Sequence, residues 1–176
     1  MPNITYNKST KIGRWLRDHP GFLERAYKFT EWIFERIAPL FERIGFKKVE
    51  PWLCPVEELA KKVVFDCRMC GQCVLHATGM TCPMTCPKNL RNGPCGGVRA
   101  NGHCEVVPEM PCVWVEAYKR STQMPVYGHE MKYLQPPVNR QLEGRSAWIT
   151  LLSEEDRPVT AGWVHVSEVN VDRSGA

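Results

Sequence analysis

The stretch Phe65-Asp-Cys-Arg-Met-Cys-Gly-Gln-Cys73 places three cysteines at three-residue steps, and this run decides how the middle of the chain is organised. Prolines and glycines separate the cysteines that follow, which is typical of loops rather than of long helices or strands. We therefore expect bound metal to hold this segment together in place of an ordinary apolar core. Eight of the nine cysteines belong to it: Cys67, Cys70, Cys73, Cys82, Cys86, Cys95, Cys104 and Cys112.

The spacing of the first three cysteines favours iron and sulfur over zinc. Thiolates at i, i+3 and i+6 occur in bacterial ferredoxin-type sites, whereas a tetrahedral zinc ion more often takes two cysteines from each of two separate loops. The fourth cysteine of a ferredoxin run is missing because residue 77 is alanine, and the next candidates are Cys82-Pro83 and Cys86-Pro87. The segment is therefore not a standard ferredoxin domain.

The count of eight cysteines equals the ligand number of two four-cysteine sites. Our hypothesis is two [4Fe-4S] clusters, and the alternatives are one cluster plus one zinc ion, or several free thiols. Cys54, the ninth cysteine, is expected to belong to neither site. His76 and His103 could replace a cysteine, but a solvated or backbone-bonded histidine is the commoner case.

Length and charge exclude several classes of protein. The chain has 176 residues, whereas a (β/α)₈ barrel needs about 200 to 250. The net charge of +4 is small and scattered and does not predict a nucleic-acid surface. The N-terminus has no signal-peptide pattern, and no apolar run reaches the length of a membrane span. We expect a cytoplasmic chain, in which clustered cysteines are usually metal or redox ligands rather than disulfides.

The predicted fold class is α plus irregular, in three regions. An N-terminal region of amphipathic helices covers residues 1–53, a loop-rich cysteine metal-binding domain covers 54–124, and an extended tail covers 125–176. In the first region, apolar residues recur at helical steps, and His19-Pro20-Gly21 divides the pattern into a short helix and a longer one. Pro39 should kink the longer helix.

Further elements are expected in the other two regions. Pro55 should begin a helix that ends near residue 64, and residues 112–124 allow another. Asn101-Gly102 between two short half-apolar stretches predicts a small β-hairpin that would bring two cysteines together. The alternation at 162–171 allows one strand.

The apolar stripe of the N-terminal helices is rich in aromatic residues, among them Phe22, Phe29 and Trp32. Such a stripe can pack on the rest of its own chain or on a partner protein, and the sequence favours neither.

Four parts of the cysteine segment carry a resemblance to a known family. They are Phe65-Asp-Cys-Arg-Met-Cys-Gly-Gln-Cys-Val-Leu75, Thr81-Cys-Pro-Met-Thr-Cys-Pro-Lys-Asn-Leu-Arg-Asn-Gly-Pro-Cys-Gly-Gly97, Gly102-His-Cys-Glu-Val106 and Pro111-Cys-Val-Trp114. Together they resemble the cysteine-rich domain of methylenetetrahydrofolate reductase systems. This domain is the MetV-type small subunit, and some reductases carry it at their C-terminus.

The resemblance implies a role in a hetero-oligomer. The partner would be a MetF-type flavoprotein that binds FMN and carries out the folate chemistry, so no catalytic residue is assigned to this chain. The eight cysteines from Cys67 to Cys112 would hold iron–sulfur clusters that relay electrons to or from the flavin. The alternatives are a zinc-binding structural or regulatory subunit of the same complex without redox activity and, less favoured, a zinc-ribbon nucleic-acid binder.

Overall fold

The computed structural model describes residues 11–153, and over this range the chain consists of helices joined by long irregular segments. The α-helices of this range are α1 (Lys11–Arg17), α2 (Pro20–Ile44), α3 (Phe46–Phe65), α4 (Val113–Ser121) and α5 (Ala147–Leu152). Four short 3₁₀ helices cover His76–Thr78, Pro83–Thr85, Gly128–Lys132 and Arg140–Leu142. The expected short helix followed by a longer one is confirmed.

The junction between α2 and α3 depends on Gly45. Its φ of 92° lies in the region that favours glycine, and its N–H donates to the carbonyl of Phe41 at 2.8 Å, which ends α2. α3 starts at the next residue and contains Pro51 and Pro55. The helix expected from Pro55 therefore begins earlier than the sequence predicted. None of the helices described between residues 11 and 153 has the length and apolar character needed to cross a membrane.

The expected β-hairpin at Asn101-Gly102 is wrong, because the described residues form no β-strand. The turn itself forms, with the Gly102 N–H bonded to the Arg99 carbonyl at 2.8 Å. Only an isolated antiparallel bridge, between His103 and Pro111, follows within the described range. The residues after the turn bond instead to a later part of the chain: the Cys104 N–H donates to the Met110 carbonyl and the Cys112 N–H to the Gly102 carbonyl, both at 2.9 Å.

The segment after α4 folds back on the N-terminal helices. It contains two 3₁₀ turns and α5, so its described part is not uniformly extended. Ile149 on α5 is fully buried, and the ring of Trp148 stacks on Phe34 of α2 at 4.6 Å between centroids. The strand expected at 162–171 lies outside the described residues. One core cluster joins these parts and contains Leu23, Leu75, Met80 and Met124.

The aromatic stripe of α2 is divided between two environments. Tyr27 and Phe34 pack against Trp148, whereas Phe29 and Trp32 are 60% and 51% exposed. α3 adds further exposed apolar side chains, with Trp52 at 82%. The chain therefore covers only part of its apolar helical surface within residues 11–153.

Candidate metal centres

Four cysteines line a first recess, at the end of α3: Cys67, Cys70, Cys73 and Cys82. Asp66 ends the helix in the left-handed conformation, with φ 52°, and directs the chain into the cysteine run. Gly71 then passes so close to Leu142 that a Cβ at this position would lie 2.2 Å from the Leu142 carbonyl oxygen. Only glycine fits there, and the close approach fixes the run against the segment before α5.

The other four cysteines of the segment line a second recess: Cys86, Cys95, Cys104 and Cys112. Cys86 follows the 3₁₀ helix Pro83–Thr85, and Cys112 immediately precedes α4. The bridge region positions Cys104, whose N–H donates to the Met110 carbonyl at 2.9 Å. One turn thus separates a cysteine of the first recess from a cysteine of the second.

All nine cysteines are free thiols. The eight that the sequence singled out form two sets of four, a division that their spacing did not assign. Among residues 11–153, no three or more histidine, cysteine, aspartate or glutamate side chains are arranged to hold a metal ion. The four thiols of each set therefore line a recess without forming a ready-made site for a single ion.

The ninth cysteine and the two histidines lie outside both recesses. The Cys54 thiol donates to the Gly144 carbonyl at 3.2 Å. His76 lies 3.2 Å from the Tyr27 hydroxyl and 3.3 Å from the Glu130 carboxylate. His103 Nδ1 lies 2.7 Å from the Pro108 carbonyl. These groups are thus engaged with other parts of the chain.

Burial affects the pKa of two thiols of the first set. It raises the pKa of Cys67 to about 11 and the pKa of Cys82 to about 12, and Cys73 contributes in the same direction to both. The Met69 N–H, 3.3 Å from the Cys67 sulfur, opposes this rise. Burial alone would lower the pKa of Lys61, but the nearby Cys73 and Glu57 outweigh it and raise that pKa. The Lys61 cation thus lines the same recess as two thiols whose pKa is raised.

The two recesses differ in charge. Lys61 and Arg145 border the first recess, and each has a carboxylate partner. The Lys61 Nζ lies 2.5 Å from a carboxylate oxygen of Glu57, and the Arg145 Nε lies 2.9 Å from a carboxylate oxygen of Glu50. Arg91 also borders it, and no ion pair to Arg91 is formed by the described residues. In the wall of the second recess, Lys88 is paired with Glu105. The first recess therefore has one more positive charge than its carboxylates balance.

A buried donor without a partner stands in the wall of each recess. Arg91 is 7% exposed, and its Nε and Nη1 have no hydrogen-bond partner in the described part of the chain. Trp114 is 5% exposed, and its Nε1 likewise has none. Buried donors are almost always satisfied in folded proteins, so both recesses lack an acceptor. Metal-bound thiolates and sulfide are such acceptors, and the residues present fit an iron–sulfur group or a zinc thiolate.

Sequence reasoning missed the residues around the cysteines. Lys61 was read only as part of a helix, and Arg91 was not singled out although it lies between Cys86 and Cys95. Trp114 falls in the helix predicted within residues 112–124, and nothing in the sequence indicates an unsatisfied indole N–H. A basic residue within a cysteine-rich loop and a tryptophan two residues after a cysteine are weak signals, because only the fold shows that they are buried.

Comparison with known proteins gives one match. The family model described as the C terminal of methylene-tetrahydrofolate reductase matches residues 46–141, which is more than half of the chain and includes both sets of cysteines. This result confirms the resemblance of the cysteine segment. No match was found among the curated proteins or among the solved structures.

Proposed function

The chain belongs to the methylene-tetrahydrofolate reductase C-terminal family, and on this basis we propose that it is the iron–sulfur small subunit of a methylenetetrahydrofolate reductase complex. The observation that carries the proposal is the division of eight cysteines into two sets of four, each lining its own recess. Four cysteines are the usual ligand set of a [4Fe-4S] cluster.

The first set, Cys67, Cys70, Cys73 and Cys82, would hold one cluster, and the second set, Cys86, Cys95, Cys104 and Cys112, would hold the other. Cysteine-ligated clusters exchange single electrons at potentials set by their surroundings. The chain's own contribution is to supply the N–H of Met69 to Cys67 and that of Gly97 to Cys95, and to place the Lys61 cation in the wall of the first recess.

The partner in this proposal is a MetF-type flavoprotein subunit that holds FMN and carries out the folate chemistry. The exposed apolar side chains of α2 and α3, such as Trp32, Trp52 and Leu59, support a protein partner. Contiguous exposed apolar surface is typical of interaction sites. The small subunit would stabilise the flavoprotein and relay electrons to or from its flavin.

The test is metal analysis of the whole chain, expressed with its flavoprotein partner and purified without oxygen. We expect iron and acid-labile sulfide, broad absorption near about 400 nm, and an electron paramagnetic resonance signal after reduction. A zinc-replete, iron-free protein would contradict the relay and favour the zinc-binding structural subunit. Failure of the two chains to copurify would contradict the complex.

Two cysteine variants provide the matched comparison. Cys70→Ser should lose metal, because it removes a ligand from the first recess. Cys54→Ser should keep the wild-type metal content, because Cys54 lines neither recess and a serine hydroxyl can still donate to the Gly144 carbonyl. Equal metal content in the two variants would remove Cys70 from the ligand set.

A further inference from the structure

The buried side-chain donors without a partner in residues 11–153 all belong to two residues, Arg91 and Trp114. Arg91 borders the first cysteine recess and Trp114 borders the second. Each recess therefore has its own unsatisfied donor. The two donors differ in charge, because a guanidinium is always protonated whereas an indole N–H is neutral.

Arg91 makes one hydrogen bond within the described residues, from Nη2 to the Gln72 carbonyl at 3.0 Å. The other two basic side chains of the first recess already have carboxylate partners. A buried cation without an anion is strongly unfavourable. The first recess therefore requires an anionic occupant, and thiolates bound to metal supply that charge.

Trp114 packs in a small cluster with Cys112 and Ala117. Its indole can only donate a hydrogen bond. The ring is held by apolar contacts, so its N–H has a fixed position in the wall of the second recess. An acceptor bound among the second set of cysteines would satisfy it without any change of charge.

We propose that Arg91 and Trp114 donate hydrogen bonds to the sulfur-ligated groups of the first and second recess, and that Arg91 gives the first centre the higher reduction potential. This inference rests on the proposed function. Adding an electron makes a centre more negative, so a neighbouring cation favours the reduced form. Hydrogen bonds to sulfur act in the same direction, and local charge adds to them. Lys88, the basic side chain in the wall of the second recess, is already paired with Glu105.

The test is a redox titration with dithionite on the purified complex, followed by electron paramagnetic resonance. Arg91→Met should lower the potential of the first centre so that its equilibrium constant for reduction falls about tenfold, equivalent to 59 mV for one electron. Trp114→Phe keeps the ring and removes the N–H, so it should lower the second potential by a smaller, about threefold, change in that constant. Arg43→Met is the charge-matched control, because Arg43 is exposed at the end of α2 and lies in neither recess.

The outcomes separate this inference from the proposed function. A wild type without iron would overturn the proposed function and this inference with it. An iron-loaded wild type in which Arg91→Met titrates like Arg43→Met would overturn the role of Arg91 alone. A small anion in the neighbouring pocket beside Tyr27, which Arg91 also borders, would then be its partner.

A second substitution keeps the test decisive if Arg91→Met does not fold. Arg91→Lys retains the positive charge and loses the planar set of donors. It should therefore shift the first potential by less than Arg91→Met and leave the second unchanged. A wild type in which the first centre has the lower potential would contradict the proposed order. Cysteine variants of each set assign the two signals.

Discussion

The carboxylate of Glu24 on α2 accepts the backbone N–H of Tyr127 at 2.7 Å, across 103 positions of chain. The same oxygen accepts the N–H of Val126 at 3.0 Å, and Glu24 is only 1% exposed. A helix that precedes the family match is therefore tied to the segment that follows α4. The contact stabilises the return of the chain over its N-terminal helices.

Replacing Glu24 should destabilise the protein. Glu24→Ala leaves two backbone donors without an acceptor, and we expect the free energy of unfolding to fall by about 2–4 kcal/mol. Glu24→Gln keeps one acceptor oxygen and should cost less. Glu35→Ala, an exposed change on the same helix, is the control and should stay within about 0.5 kcal/mol of wild type. Urea unfolding measures all three, and equal losses for Glu24→Ala and Glu35→Ala would contradict the role of this contact.

Gly71→Ala should cost more than Gly144→Ala. Both glycines have a positive φ, 73° and 84°, so an alanine pays about 1–2 kcal/mol at either position. At Gly71 the new Cβ would also meet the Leu142 carbonyl oxygen at 2.2 Å, whereas nothing lies within 4 Å at Gly144. We expect an additional loss of about 1–3 kcal/mol for Gly71→Ala. Thermal unfolding of the two metal-loaded variants tests this prediction. Similar midpoints for Gly71→Ala and Gly144→Ala would show that the cysteine run can move away from Leu142 without loss of stability.

Cys82→Ser and Cys86→Ser should deplete different centres. The two cysteines are four positions apart in a repeated cysteine-proline pattern, yet they line different recesses. Each single variant should retain about half of the wild-type iron. Cys70→Ser combined with Cys82→Ser should lose no more iron than either change alone, whereas Cys82→Ser with Cys86→Ser should lose nearly all of it. Iron and sulfide assays that instead show additive loss for the first pair would refute the division into two sets.

Stability at mildly acidic pH should depend on His76. Burial lowers the pKa of His76, although Glu130 and Glu31 oppose this effect and Tyr27 contacts the ring. Below the ordinary histidine pKa of about 6.5, the unfolded chain binds a proton that the folded chain resists, so stability falls as pH falls. His76→Gln should therefore lose less stability than wild type between about pH 7.5 and about pH 5.5. Identical losses in urea unfolding would exclude His76 as a source of the pH dependence.

Helices α1 to α4 could be predicted because their apolar residues repeat at helical intervals and their breaks contain proline or glycine, whereas α5 lies in the segment predicted as an extended tail. The exact start of α3 could not, since Pro51 and Pro55 both lie inside a helix that begins at Phe46. The turn of the predicted hairpin forms, but within the described residues its strands do not. A turn signal in the sequence does not indicate which segment the residues after the turn will bond to. The residues after the turn bond to a later segment, from the Cys104 N–H to the Met110 carbonyl and from the Cys112 N–H to the Gly102 carbonyl.

The eight cysteines of the candidate site and their match to two four-cysteine sites come from the sequence, but which four line each recess could not be predicted. Cys82 and Cys86 are only four positions apart, and the three-dimensional path of the Pro83–Thr85 turn places them in different recesses. Arg91 and Trp114 could not be predicted as partners of the site, because burial is a property of the fold and not of their neighbours in sequence.

The exposed apolar side chains of α2 and α3 affect the association state of the purified protein. The side chains of Phe29, Trp32 and Trp52 are more than half exposed. The chain on its own should therefore self-associate into soluble aggregates whose size increases with protein concentration and with salt. Static light scattering would then report a mass above 20.2 kDa for the separate chain. Mixing with the proposed flavoprotein partner should replace these aggregates with one species of fixed stoichiometry. Production of both chains in the same cell would then be the practical route to a monodisperse sample.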